Sequence, residues 1–248
     1  MTQEIIFKNV SKMYEYGEYA LENISFSVEK GEFVFVIGRS GAGKSTLLKL
    51  MSSQLTPDEG KIWVKGQELT SMAKRELPFF RRKLGMMQPE YGLLKDRSVY
   101  ENVELAMIAT EQPERLFKKR VTQTLRTMGV IHRKDAFPDE ISEGEAARVL
   151  LARALVINPG ILIADEPTAN LDSDKAWDLM CLLDELNRLG VTVIIGCHDR
   201  ELVSIMKKRV LTLSGGRLIA DEKKAVYNPL AWDVIEERRI RNEQQQKL

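Results

Sequence analysis

Gly38-Arg39-Ser40-Gly41-Ala42-Gly43-Lys44-Ser45-Thr46 is the stretch that decides the fold of this 248-residue chain. It matches the pattern G-x-x-x-x-G-K-[ST] and stands between a short apolar run and an amphipathic pattern, which predicts a turn from a strand into a helix. In such a turn, glycines let backbone N–H groups converge on phosphate oxygens, and the helix adds the positive end of its dipole. We therefore predict that residues 38–46, the phosphate loop, hold a nucleotide's phosphates, with Lys44 on the β- and γ-phosphates and Ser45 on Mg²⁺.

Apolar runs on both sides of this loop predict a buried parallel sheet. The runs are Phe33–Ile37, 161–164 and 191–195, and each ends at a small or acidic residue. Patterns with helical spacing separate them, and alternation of strand and helix is typical of a doubly wound α/β core.

Outside these runs the patterns predict two further parts. Residues 5–10 and 61–65 have the composition of antiparallel strands near the N-terminus, and residues 210–220 predict a hairpin that turns at Gly215 and Gly216. The pattern from 98 to 156 is helical and predicts an inserted helical subdomain.

Acidic and imidazole side chains follow two of the apolar runs. Asp165 and Glu166 follow the run at 161–164, and His198 comes shortly after the run at 191–195. Because α/β sheets bind ligands at the carboxyl ends of their strands, we expect Asp165 to hold Mg²⁺ and His198 to contact the γ-phosphate. Glu166 is suited to orienting the attacking water, which makes it, with Lys44 and His198, a candidate catalytic residue for hydrolysis.

Composition excludes several functional classes. Thirty-seven Lys and Arg residues against thirty-six Asp and Glu leave a formal charge of +1, so no strong basic field predicts nucleic-acid binding. The fully apolar stretches are about five residues long, far below the ~20 that a membrane span needs. Cys181 and Cys197 define neither a disulfide framework nor a metal spacing, which favours a reducing cytosol.

Taken in order, these motifs resemble those of the ABC-type ATPase subunits, and the resemblance extends to about residue 225. It identifies Tyr14 with the aromatic residue on which the family stacks adenine, and Asp165-Glu166 with the family's second ATP motif. Ala169-Asn170-Leu171-Asp172 resembles the D-loop, in which Asp172 contacts the nucleotide site of a dimer, and His198 resembles the switch histidine.

The resemblance also implies a fold and a domain division. The fold is an α/β P-loop NTPase, RecA-like, with a parallel-sheet core, an N-terminal antiparallel β subdomain and an inserted helical subdomain. One ATPase domain would span 1–225, with its core at about 1–87 and 157–225 and the helical subdomain at about 88–156. Residues 226–248 would form a charged tail.

Three further stretches, 76–85, 190–193 and 211–214, are most similar to the family's cell-division members. What this implies is a subunit on the cytoplasmic face of the plasma membrane that forms a homodimer with ATP bound. The dimer would act on an integral membrane protein that controls cell-wall hydrolases. Two alternatives are the ATPase of a related ABC exporter and a scaffold that binds ATP with negligible turnover.

The first departure from the family pattern lies in the signature segment, 141–145. Where the family has Leu-Ser-Gly-Gly-Gln, this chain has Ile141-Ser142-Glu143-Gly144-Glu145. In the family, the serine and the glycine N–H groups bind the γ-phosphate held by the opposite subunit. The resemblance assigns these roles to Ser142 and Gly144. A Glu143 carboxylate about 5 Å from a phosphate oxygen would cost roughly 3 kcal/mol at an effective dielectric constant near 20, and much less if it turns outward.

The second departure concerns the glutamine that approaches Mg²⁺ and water in the family. An ungapped alignment puts Pro89 at that position and Gln88 one residue early, and a one-residue slip on an extended segment reverses the direction of a side chain. Gln88 is therefore a candidate metal contact that we expect to miss Mg²⁺ and the attacking water, unless Pro89 reshapes the loop. Both departures predict ordinary ATP binding and hydrolysis that is slow or dependent on the partner.

Overall fold

Two β-sheets flank the phosphate loop in the computed structural model of the chain, which describes residues 2–14, 17–88 and 92–223. The strands are β1 Gln3–Met13, β2 Tyr19–Glu29, β3 Phe33–Ile37, β4 Glu59–Val64, β5 Gln67–Glu68, β6 Leu84–Met87, β7 Ile161–Asp165, β8 Thr192–Cys197, β9 Arg209–Ser214 and β10 Arg217–Glu222. The α-helices are α1 Lys44–Met51, α2 Leu77–Arg81, α3 Val99–Ala109, α4 Phe117–Thr127, α5 Glu143–Leu155, α6 Ser173–Arg188 and α7 Arg200–Met206.

The central sheet has the strand order β10-β9-β3-β8-β7-β6. Neighbouring strands from β9 to β6 pair in parallel, and β10 pairs antiparallel with β9 at one edge. Every residue of β3, β7 and β8 is buried, which confirms the prediction of buried parallel strands from the three apolar runs. The phosphate loop and His198 follow the carboxyl ends of β3 and β8, and Asp165 is the last residue of β7, so the sheet brings them to one edge.

The second sheet is antiparallel, with the order β2-β1-β4-β5. The predicted strands at 5–10 and 61–65 lie in β1 and β4, and the Phe7 and Phe26 rings stack between β1 and β2 with their centroids 4.8 Å apart. Neither β2 nor β6 is among the predicted strands. In β2, however, the apolar residues Ile24, Phe26 and Val28 alternate with polar residues and are buried, so a strand signal was present in the sequence. β6 is only four residues long and contains Gly85, so it has no clear alternating pattern.

Helices α3, α4 and α5 follow one another between β6 and β7. Their buried side chains, among them Val103, Val121 and Leu151, belong to the hydrophobic cluster that also contains one face of the central sheet. The boundaries of a helical subdomain at 88–156 stay a prediction. The predicted tail, 226–248, lies outside the described residues, and none of the described helices has the length and apolar character needed to span a bilayer.

Gly85 provides a test of how tightly β6 packs against α5 and β7. A Cβ atom at this position would lie 2.8 Å from Pro159 Cγ and 2.9 Å from the Ala154 carbonyl oxygen. Neither atom belongs to a flexible side-chain end, so we expect Gly85→Ala to lower the free energy of unfolding by about 1–3 kcal/mol, as overpacking does. Denaturant unfolding would measure the change.

Gly92→Ala is the matched control, because an added Cβ at Gly92 would meet no atom within 4 Å. Its effect should stay within about 0.5 kcal/mol, as for an ordinary surface substitution. Equal stability of the two variants would contradict the packing described for Gly85.

Candidate functional site

The phosphate loop turns from β3 into α1 through backbone conformations that glycine alone adopts easily. Gly41 and Gly43 have φ values of 78° and 103°. At Gly43 a Cβ atom would also lie 2.5 Å from the Ala20 carbonyl oxygen and 2.7 Å from Leu21 Cδ2. The loop can therefore pass under β2 and start α1 at Lys44 only because residue 43 has no side chain.

Lys44 is buried at the start of α1, and its side chain is 9% exposed. Its Nζ donates hydrogen bonds to the Gly38 carbonyl oxygen at 2.9 Å and to that of Arg39 at 3.4 Å. It also lies 3.5 Å from Glu166 Oε1. The ammonium group is thus held inside the curve of the loop and next to the predicted catalytic carboxylate.

Glu166 follows β7 and sits between two of the predicted functional groups. Its Oε1 faces Lys44, and its Oε2 contacts His198 Nδ1. The backbone of Glu166 has a φ of 47°, in the left-handed region, and its N–H donates to the Gly196 carbonyl oxygen at 2.9 Å. Strained conformations of this kind persist where the surroundings hold them, and they cluster at functional sites.

Asp165 and Ser45 provide oxygen atoms of the kind that Mg²⁺ binds. Ser45 is hydrogen-bonded to the Asp165 side chain, and Asp165 Oδ1 is buried without a hydrogen-bond partner among the described residues. Burial raises the pKa of Asp165, although the bond with Ser45 opposes this. A carboxylate and a hydroxyl fit Mg²⁺, which commonly takes one or two protein oxygens and completes its shell with phosphates and water.

Gly196, on the neighbouring strand β8, keeps the space around Asp165 open. A Cβ atom at Gly196 would lie 2.6 Å from Asp165 Oδ1 and 3.0 Å from Leu48 Cδ1. A side chain there would push against the free carboxylate oxygen, so β8 contributes to this part of the site through the absence of a side chain.

Tyr14 lies beside the first turn of α1. Its hydroxyl is 3.2 Å from Thr46 Oγ1, and the residue is 49% exposed. A half-exposed aromatic ring whose hydroxyl is held is available to a flat ligand such as a nucleobase. The prediction that Tyr14 stacks on adenine is compatible with this placement and stays a prediction.

A cavity of about 500 Å³ opens beside the phosphate loop. Its lining residues are Ile37, Gly38, Arg39, Ser40, Lys44, Glu166, His198, Asp199 and Arg200. Asp199 and Arg200 were not among the predicted site residues. Their position directly after His198, at the carboxyl end of a buried strand, is the signal that could have indicated them.

Gln88 is only 3% exposed and follows β6. Its Oε1 accepts a hydrogen bond from Gln54 Nε2 at 2.9 Å, and its own Nε2 is buried with no hydrogen-bond partner in the described part of the chain. The side chain lines a second cavity, of about 210 Å³, together with Asp165 and Glu166. Gln88 is therefore close to the carboxylates, while Pro89 lies outside the described residues.

The signature segment forms the start of α5, with Ser142 as its N-cap. Ser142 Oγ accepts a hydrogen bond from the Glu145 N–H at 3.3 Å, and Glu145 Oε2 accepts one from the Ser142 N–H at 2.9 Å. Arg133 Nε lies 2.9 Å and His132 Nε2 lies 3.2 Å from Glu145 Oε1. The bond from the Ser142 backbone, followed by that from Arg133, lowers the pKa of Glu145 to about 2.

The predicted residues fall into two groups in a single chain. Ser142, Gly144 and Asp172 do not line the cavity beside the phosphate loop in the part of the chain that the structure describes. Glu143 instead lines the second cavity, which it shares with Ala169, Asn170 and Leu171 of the D-loop and with Asp165 and Glu166. The signature segment and the D-loop are thus adjacent to each other and to the two carboxylates, while Ser142, Gly144 and Asp172 stay outside the lining of the cavity beside the phosphate loop.

Comparison with known sequences shows which protein family the chain resembles. The sequence matches the ABC transporter family over residues 21–169. It is 42% identical over 224 residues to the cell division ATP-binding protein FtsE of Bacillus subtilis, covering 90% of this chain and 98% of the relative. The corresponding protein of Escherichia coli K12 is 44% identical over 214 residues, which cover 86% of this chain and 96% of the relative.

Among solved structures, the chain is similar in fold to ABC transporter cassettes. The dimeric structure of MJ0796, described as a bacterial ABC transporter cassette, has a TM-score of 0.81 and 33% identity, covering 88% of this chain and 98% of that chain. A dimeric post-hydrolysis state of the same cassette, bound to ADP and Pi, has a TM-score of 0.80. CbiO1 of Clostridium perfringens, part of a CbiONQ complex, has a TM-score of 0.82 at 29% identity, with coverage of 100% and 96%.

The lowered pKa of Glu145 predicts a pH-dependent contribution to stability. Because the pKa of Glu145 in the folded protein is about 2 and lies below the ordinary glutamate pKa of 4.5, the charged side chain stabilises the fold above about pH 4.5. This contribution is lost as the pH falls from 4.5 towards 2. We expect Glu145→Gln to lower the free energy of unfolding by about 1 kcal/mol at neutral pH, a value typical of helix caps.

Urea unfolding of both proteins between neutral pH and pH 3 would measure this difference. The gap between wild type and Glu145→Gln should be constant down to about pH 5 and should shrink below it. A gap that widens in acid would show that Glu145 is not held by the contacts described.

Proposed function

Because this chain belongs to the ABC transporter family, we propose that it is the ATP-hydrolysing subunit of a cell-division complex, with an FtsX-like integral membrane protein as its partner. The family prediction from the motifs is confirmed, as are the P-loop NTPase fold, ATPase activity and the use of ATP with Mg²⁺. The role in cell division is supported by the FtsE relatives, which match 86–90% of this chain.

The observation that carries the catalytic proposal is the position of the Glu166 carboxylate between Lys44 and His198 at the wall of the cavity beside the phosphate loop. Glu166 orients a water molecule for attack on the γ-phosphorus and accepts its proton, and the water–phosphorus bond forms as the bond to the β-phosphate oxygen breaks. Lys44 holds the β- and γ-phosphate oxygens. Ser45 and Asp165 would hold Mg²⁺, which would supply neutralisation of the phosphate charge.

Homodimerisation with ATP bound is supported by the position of Ser142, Gly144 and Asp172 outside the lining of the cavity beside the phosphate loop. Cassettes of the family dimerise, as in the dimeric MJ0796 structures. In this chain Ser142, Gly144 and Asp172 lie away from the cavity beside the phosphate loop, so a second copy is needed to bring them to the nucleotide. The exposed N-terminus of α5 would then offer backbone N–H groups to the γ-phosphate across the dimer interface.

A slow or partner-dependent rate is part of the same proposal. Gln88 accepts a hydrogen bond from Gln54 and would have to give it up to turn towards metal or water. Its Nε2 has no hydrogen-bond partner in the described part of the chain, so a different side-chain position that satisfies this atom would offset part of the loss of the bond from Gln54. Binding of the membrane partner near β6 is one way to favour that alternative.

An apolar groove of about 770 Å³ is the surface that best fits the membrane partner. It runs between α2, β6, α3 and α5, and its lining includes Leu94 and Leu105, which are 41% and 39% exposed. Arg81, Arg82 and Arg153 also line it. A short cytoplasmic helix of the membrane protein would bury these apolar side chains, which would place this chain at the cytoplasmic face of the plasma membrane.

Glu166→Gln tests the catalytic assignment. The amide keeps the size of the side chain but cannot accept a proton, so we expect steady-state ATP hydrolysis to fall about a hundredfold or more, with ATP binding retained. Phosphate release would measure the rate of hydrolysis by Glu166→Gln.

Lys44→Ala should abolish ATP binding itself, because it removes the ammonium group from the phosphate loop. Equilibrium titration with Mg-ATP would measure the loss of binding.

Glu185→Gln is the matched control, since Glu185 is an exposed glutamate on α6, outside the lining of the cavity beside the phosphate loop. It should hydrolyse ATP at the wild-type rate. Single-turnover cleavage of bound ATP distinguishes an ATPase from a scaffold, and equal rates for wild type and Glu166→Gln would remove Glu166 as the catalytic group.

Leu105→Glu tests the docking groove. A carboxylate buried against an apolar helix is costly, so we expect the affinity for the membrane partner in detergent to fall at least about tenfold. Leu189→Glu is the control, because Leu189 is 83% exposed at the end of α6 and outside the groove. Equal partner affinities for the two variants would contradict docking in this groove.

A further inference from the structure

Lys175, in the first turn of α6, lies across the signature segment. If Gly144 had a Cβ atom, that atom would lie 2.8 Å from Lys175 Cδ and 3.4 Å from its Cγ. The aliphatic part of Lys175 therefore packs on the backbone of Gly144, one residue after Glu143. This contact joins the signature segment to the helix that follows the D-loop within the same chain.

The charged end of Lys175 pairs with Asp172, beside the signature segment. Its Nζ lies 2.5 Å from Asp172 Oδ2, and its N–H donates to Asp172 Oδ1 at 2.9 Å, which caps α6. Asp172, and to a smaller extent the charge of Glu143, raises the pKa of Lys175. The lysine thus stays positively charged in the field of both carboxylates.

An ion pair between α5 and α6 supports this arrangement. Arg148 Nη2 lies 3.2 Å from Asp178 Oδ2. Arg148 and Asp178 lie further along the same two helices than Gly144 and Lys175. The position of Lys175 over the signature segment is therefore set by more than one contact.

We propose that Lys175 is a positioning residue that neutralises Glu143 within the same subunit. This pairing allows a signature segment with glutamate at the first glycine position to approach the triphosphate held by a second copy of the chain. Without Lys175, the carboxylates of Glu143 and Asp172 would both face the phosphates uncompensated, and like charges at close range oppose association. The inference rests on the ATP-dependent homodimer proposed above.

A double-mutant cycle tests the pairing. In a Glu166→Gln chain, which retains ATP, the dissociation constant of the Mg-ATP dimer would be measured by sedimentation velocity for Lys175→Met, Glu143→Gln and the combination. Methionine keeps much of the apolar contact with Gly144 and removes the charge. Lys175→Met also removes the ion pair with Asp172, but this effect is the same whether residue 143 is Glu or Gln. The double-mutant cycle therefore subtracts it.

We expect Lys175→Met to weaken the dimer about fivefold when Glu143 is present and less than about twofold in the Glu143→Gln chain. Lys175→Arg should restore the dimer, and high salt should reduce the difference between the two backgrounds. ATP binding by the monomer should be the same for all variants.

Equal weakening by Lys175→Met in both backgrounds would assign Lys175 a packing role and overturn the pairing. The pairing would also be overturned if Lys175→Met left the dissociation constant of the dimer unchanged. If the Glu166→Gln parent forms no dimer with Mg-ATP, the homodimer itself is wrong, and this inference falls with it, whereas the ATPase assignment is tested separately by hydrolysis.

Discussion

The buried ammonium group of Lys44 is the constraint on which the site depends. A charge with a 9% exposed side chain loses most of its hydration and must be compensated by nearby polar groups. The phosphate loop supplies the carbonyl oxygens of Gly38 and Arg39, and β7 supplies Glu166. Both sets of groups arrive together because β3 and β7 flank β8 in a parallel sheet, with their carboxyl ends on the same side. The same geometry explains why two distant parts of the sequence form one site.

Sequence patterns predicted the parts of the fold that are set locally. The phosphate loop is a contiguous motif, and β3, β7 and β8 are buried on both faces, so their apolar runs are recognisable without any tertiary information. Strand β2 was predictable as well, because Ile24, Phe26 and Val28 alternate with polar residues and are buried, and this signal was overlooked. Strand β6 is only four residues long, and its position is decided by its neighbour β7 rather than by its own sequence.

Side-chain contacts between distant parts of the chain could not be predicted from the sequence as readily as the strands. Glu166 and Asp165 were recognisable because they end a buried strand beside a phosphate motif. Gln54 gave no such signal, since its hydrogen bond to Gln88 joins residues that are 34 positions apart. Lys175 is similar: an exposed lysine near a helix start is an ordinary surface residue until the packing of α5 against α6 brings it over Gly144. Such pairs follow from how elements pack and cannot be derived from a local pattern.

The two central positions of the signature segment are unequal in physical terms. Residue 143 begins α5, where an acidic side chain is favourable to the helix dipole, and glutamate keeps the backbone N–H that glycine would have offered. The change at this position therefore adds a charge without removing a donor. At residue 144 the stem of Lys175 occupies the space that a Cβ atom would need. Glutamate in place of glycine can thus be compensated at position 143 by a nearby cation, whereas a side chain at position 144 would displace that same cation.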